Sequence, residues 1–211
     1  MSIFPASDPV PRCSPALRAA LALAAALALA LPAAPVAAAD PPATTDEPVA
    51  IVPPELSESA RKAYNQGLRE IREMISRKEF AAALARADAL LVTRPREPQA
   101  RFLKGVAQTE QGQTAAAMAT FRGLVEDYPE LPEPYNNLAY IYAQQGDYDS
   151  ARMALETAVR TAPDWAVAHE NLGDVYARLA AAEYNRAATL DRGNKSAPEK
   201  LALVRSLLAP K

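Results

Sequence analysis

The sequence predicts an all-α fold, a solenoid of stacked helical hairpins with a C-terminal capping helix, and three observations lead there. Apolar residues recur at helical spacing, as at Tyr135, Leu138 and Tyr142. Aromatic residues are only 6% of the chain, and β-branched residues are sparse in the periodic segments, against the composition that sheets favour. The text also repeats at thirty-four residues: Pro95, Pro129 and Pro163; Ala83, Ala117 and Ala151; Gly112 and Gly146. Alanine supplies much of the 50% apolar content, so the helices should be slim and closely packed.

The first element, residues 1–39, reads as a signal peptide. Arg12 and Arg18 precede an uncharged run of thirteen residues, Ala19–Leu31, and Ala37-Ala38-Ala39 offers a small-residue cleavage site before Asp40. Thirteen helical residues span about 20 Å, short of the roughly 30 Å hydrocarbon core. The alternative is an uncleaved anchor that uses the residues up to Ala39, which would tether the protein to the inner membrane. Cys13 is the one cysteine and precedes the apolar run, so a lipid-modified cysteine after that run is excluded. The mature chain then holds no thiol, which excludes disulfides, thiolate metal sites and cysteine nucleophiles. Removing 1–39 takes two of 23 basic and one of 25 acidic residues, leaving 21 against 24. No basic block remains, so nucleic acid and anionic lipid are not expected partners. Residues 40–56, rich in proline and acids, should be an extended tether.

Each following unit has the same logic. Tyr135, Leu138 and Tyr142 form one apolar stripe, and Gly146 lies where a left-handed residue can stop the helix. Asp147 begins a second helix whose Ala151 and Ala154 allow close backbone approach, with Leu155 and Ala158 on its inner face. Pro163 ends the unit. A single hairpin cannot bury its apolar face, whereas stacked copies can. The units are 57–97, 98–131 and 132–165, the first with a helix starting near Ser57. In the shortened unit 166–192, Leu179-Ala180-Ala181-Ala182 replaces the glycine turn, which predicts either one fused helix to about Asp191 or a tight turn within the alanines. In 193–211, Ser196 and Glu199 predict a capping box for a final helix carrying Leu201, Val204 and Leu208.

This register resembles the tetratricopeptide repeat, a thirty-four-residue pair of antiparallel helices. Residues 132–165 match its pattern through Tyr135, Leu138, Tyr142, Gly146, Ala151, Ala158 and Pro163, with Ala139 in place of the usual glycine and Leu155 in place of an aromatic. Residues 98–131 match through Gly105, Gly112, Ala117, Phe121 and Pro129, and depart at Arg101 and Lys104, where Phe102 and Leu103 can supply the apolar contact. Residues 64–97 match mainly through Phe80, Ala83, Leu90 and Pro95. In the last unit His169, Leu172, Gly173 and Tyr176 are in register.

The resemblance implies that the first helix of each unit lines a concave groove. Carried onto this chain, the lining residues are Phe102, Leu103, Val106 and Glu110, then Asn136, Asn137, Tyr140 and Gln144, then Glu170, Asn171, Asp174 and Arg178. Asn137 and Asn171 share a repeat position, and asparagines there hold the backbone of an extended peptide in peptide-binding members. Among the tyrosines, Tyr140 alone is expected off the packing positions. A clamp for acidic C-termini is not expected, because Phe102, Val106 and Val167 replace three of its polar groups and Asn171 replaces its arginine.

No catalytic chemistry is expected. His169, the one histidine, sits in an aromatic packing slot, and the acidic pairs Asp46-Glu47 and Glu126-Asp127 read as solvated surface. The glycines do not bunch into a phosphate loop, and no cofactor is implied. The resulting expectation is an exported bacterial scaffold, periplasmic or secreted, that binds a protein or extended peptide, in keeping with envelope proteins of this repeat class. The alternatives are self-association into a homo-oligomer and a membrane-tethered scaffold.

Overall fold

Local signals set the helix boundaries. The computed structural model describes residues 57–209, so the expected leader and tether lie outside the described residues. Ser57 accepts a hydrogen bond from the Ala60 amide at 3.2 Å and starts α1, Glu58–Ser76. Then follow α2 (Phe80–Thr93), α3 (Pro98–Glu110), α4 (Thr114–Asp127), α5 (Pro132–Gln144), α6 (Tyr148–Thr161), α7 (Ala166–Leu190) and α8 (Ser196–Leu207). Pro98 and Pro132 open α3 and α5, where their missing amide protons cost nothing. Asp147 caps α6 by accepting from the Ser150 amide at 3.0 Å.

All regular structure among the described residues is helical, and the fold is the predicted stack of hairpins. Successive helices pack on one another, and the first helices of neighbouring hairpins also touch, α1 with α3 and α3 with α5. Ala83, Ala117 and Ala151 are fully buried where the two helices of each hairpin meet. The main core runs from α1 to α5, and a slimmer cluster of Ala139, Ala143, Ala151, Leu155 and Val175 continues it.

The hairpin seam keeps a nearly constant volume from unit to unit. On the first helices, positions thirty-four apart hold Ile71, Gly105 and Ala139; on the second helices, Ala87, Phe121 and Leu155. Where the second helix carries phenylalanine the first must carry glycine, because a Cβ on Gly105 would come within 2.7 Å of the Phe121 ring. Leucine at 155 leaves room for Ala139, and alanine at 87 for Ile71; apart from the glycine all these side chains are fully buried.

The turns follow the same register. Lys78, Gly112 and Gly146 all have positive φ, at 61°, 78° and 79°. The corresponding residue in the fourth unit is Ala180, and there the chain does not turn: α7 runs unbroken for 25 residues. At α8 the predicted capping box is absent. Asn194 accepts from the Ala197 amide at 3.0 Å instead, and Ser196 is the first helical residue. Leu201 is buried, but Leu203 and Leu207 are 65% and 73% exposed, so the cap presents apolar surface outward.

Polar ties between hairpins also repeat. Asp88, Arg122 and Glu156 share one position on the second helices. Asp88 pairs with Lys104 at 2.6 Å, Arg122 donates to the Tyr142 hydroxyl at 3.1 Å, and Glu156 accepts from the Tyr176 hydroxyl at 3.0 Å. Arg101 pairs with Asp127. The two departures Arg101 and Lys104 thus serve as ion-pair partners, while Phe102 and Leu103 are buried. Asp127 is correspondingly no isolated surface acid.

Two outcomes check this packing. Gly105→Ala alone should cost about 1–3 kcal/mol by overpacking, and in the Phe121→Leu background most of that cost should vanish, a coupling that urea denaturation of the four-protein cycle measures. Lys78→Gly should raise stability by about 0.5–1 kcal/mol, because glycine removes the left-handed strain at a smaller entropic cost; thermal denaturation reads it directly.

Candidate functional site

The groove positions form three rows across successive first helices: Phe102–Asn136–Glu170, Val106–Tyr140–Asp174 and Glu110–Gln144–Arg178. Exposure rises along the first, and in the second it rises from Val106 to Tyr140. Phe102 and Val106 are 5% and 3% exposed, Asn136 and Tyr140 are half-buried, Glu170 is exposed and Asp174 half-buried. Glu110 and Gln144 are exposed, and Arg178 is half-buried.

The apolar anchors are therefore corrected. Phe102 packs its ring 5.8 Å from that of Phe121, and both Phe102 and Val106 belong to the main core with Leu103. They face the groove by register, but α1 packs on α3 and encloses them with the core. Tyr140 is corrected in part, since its side chain packs against the same core while remaining half-exposed. Tyr176 is the more exposed tyrosine, at 47%.

The asparagine row is corrected as well. Asn171 is 4% exposed and its amide donates to Asn136 Oδ1 at 2.7 Å, tying α7 to α5. Asn137 donates to its own helix at the Glu133 carbonyl, 2.8 Å away. These amides hold the first helices in place and do not stand ready as a ladder for a peptide backbone. The sequence showed Asn137 and Asn171 in one register; the lateral pairing of Asn171 with Asn136 depends on how α7 leans on α5, which no spacing reveals. His169 is likewise not packed as an aromatic would be: it is exposed, and its ring Nε2–H donates to the Pro163 carbonyl at 2.8 Å.

What remains accessible is Glu110 at the end of α3, Tyr140 and Gln144 on α5, and Glu170, Asp174 and Arg178 on one stripe of α7. Partial burial, and next the charge of Glu170, push the Asp174 carboxyl up, while Arg178 opposes them. The stripe is therefore net negative and imperfectly compensated. No group of three or more potential metal ligands occurs among the described residues.

Fold and face together define a helical-repeat protein with a partly accessible inner face. Residues 75–132 and 108–179 each match a family model described as tetratricopeptide repeat. Among solved structures, the tetratricopeptide-repeat domain of Sgt2 from Aspergillus fumigatus superposes with a TM-score of 0.54 at 17% identity, over 57% of this chain and 82% of that one. A thermophilic tetratricopeptide-repeat protein of Thermus thermophilus gives 0.52 at 22% identity, over 69% and 83%. A chain of Naa15/Naa10 bound to HypK-THB gives 0.50 at 16% identity, over 69% of this chain and 23% of that one. These likenesses concern the fold. No curated protein matches the chain.

The electrostatics of the stripe set a stability test. A carboxylate whose folded pKa is raised loses stability as pH climbs from its unfolded pKa through the folded one, and the penalty persists at neutral pH. Asp174→Asn should therefore raise the melting temperature at pH 7, and the gain should fade below the ordinary aspartate range, where Asp174 is protonated in both states. Parallel melts across that range check the sign.

Proposed function

We propose that the protein is a scaffold that holds another protein, or an extended segment of one, against the inner face of its repeats. The observation that carries this reading is the accessible set Tyr140, Gln144, Glu170, Asp174 and Arg178, contributed by neighbouring first helices whose other face positions, Asn136, Asn137 and Asn171, are held in hydrogen bonds within or between those helices. A half-exposed tyrosine next to charged groups is the composition of an interface anchor with a polar rim. The repeat class supports protein binding as the general role.

The location belongs to the same proposal. The leader-like residues 1–39 support export, and with it a place in the bacterial periplasm and a part in envelope biogenesis. Retention of that segment would give an inner-membrane-tethered form of the same scaffold. No helix among the described residues is long and apolar enough to cross a membrane. Self-association is a second reading, favoured by the outward leucines of the last unit, Leu190, Leu203 and Leu207.

Photo-crosslinking in the native host tests the two readings together. A probe at Gln144 should capture one discrete protein, and capture should fall when Asp174 is replaced by lysine. A control probe at Met153, exposed on α6, should not capture it. Adducts only to a second copy of this chain would replace the partner-binding reading with self-association.

A further inference from the structure

An open cleft of about 390 Å³ lies where α6, α7 and α8 meet. It exists because α7 does not turn at Ala180: its second half runs past the start of α6 and α8 folds back along it. The polar lining is Tyr148 from α6, Arg178 and Asn185 from α7, and Arg205 from α8, with Ala181 and Leu208 on the apolar wall. Two guanidinium groups thus share one cleft, and no carboxylate is part of its lining.

The charges are also uncommitted. Neither Arg178 nor Arg205 forms an ion pair among the described residues, whereas Arg86, Arg94, Arg101 and Arg152 do. Asp147, beside Tyr148, caps α6. Asp174, one turn before Arg178, acts on it only through its field. In addition the Arg178 Nε–H is buried and has no acceptor among the described residues. A buried donor left without a partner is destabilising, and an ion that supplies the acceptor removes that penalty.

We infer that this cleft is an oxyanion-binding site, in which Arg178 and Arg205 hold a phosphate or carboxylate group and Tyr148 and Asn185 donate further hydrogen bonds. Arginine suits the task because its planar fork meets two oxygens of one oxyanion at once. The cleft volume exceeds that of a bare ion, and its wall at Ala181 and Leu208 fits the apolar part of an organic anion. The chemistry is shared by two sources, a free tetrahedral oxyanion and a carboxylate carried on a partner protein. The cleft shares Arg178 with the accessible inner face, but free ions probe it with no partner present, so its failure and that of the partner-binding reading are distinguishable.

The test follows the Arg178 Nε–H signal of the purified protein by nitrogen–proton NMR at mildly acidic pH, assigned by its loss in Arg178→Lys. Inorganic phosphate and acetate are titrated in separate arms, each against sodium chloride at equal ionic strength. A saturable shift absent from chloride is expected, and Arg205→Ala should weaken it by at least about tenfold, the loss of one charge-assisted contact. Arg205 is exposed on α8, so the variant should fold, and its melting curve verifies that. A shift with phosphate alone assigns the cleft to a tetrahedral oxyanion; an equal shift with acetate assigns it to a carboxylate. A response identical to chloride, or a phosphate affinity unchanged in folded Arg205→Ala, overturns the site.

Discussion

The seam inside each hairpin is the constraint on which the structure depends. Two helices can approach closely only if the side chains between them sum to a nearly constant volume. The chain meets this with Ile71 and Ala87, with Gly105 and Phe121, and with Ala139 and Leu155, backed by fully buried alanines at 83, 117 and 151. A helix pair joined this tightly becomes a flat unit with apolar faces left over, and stacking follows because only another unit can cover them. The inner surface exists as a by-product of that stacking, which also limits it: where neighbouring first helices pack hard, as around Phe102 and Val106, nothing is left for a partner.

The fold was legible in the sequence because its determinants are local and repeated. Glycine at 112 and 146, alanine at 83, 117 and 151, and proline closing the units each report a backbone requirement that any copy must meet. Lys78 escaped notice because its left-handed turn is imposed by the packing on either side and not by the residue itself. The missing capping box has a similar origin: Ser196 has the right side chain, but Asn194 reaches the Ala197 amide first.

The site was less legible, and for a different reason. Register says which residues share a face; it does not say how far the next helix leans over them. Phe102, Tyr140 and Asn171 all occupy face positions, yet one is core, one is half-exposed and one is spent on a neighbour's amide. Inter-hairpin ties at Asp88, Arg122 and Glu156 use three chemistries at one position, so no residue-type pattern marks them, although their spacing does. Arg178 was visible as a groove residue, but its company with Arg205 arises from the turnless path of α7, which brings α8 back alongside it.

The unbroken α7 also changes how the molecule bears load. Contacts among the described helices reach no further than the next or next-but-one element, so a force applied at the two ends acts on the hairpins in series. The early hairpins can peel away singly, each yielding at its own seam. The last junctions cannot, because α7, a rod of roughly 37 Å, carries α6 on its first half and α8 on its second. To free either neighbour is to strip the other's support. The chain ends in a strut, and the final section should give way as one mechanical unit.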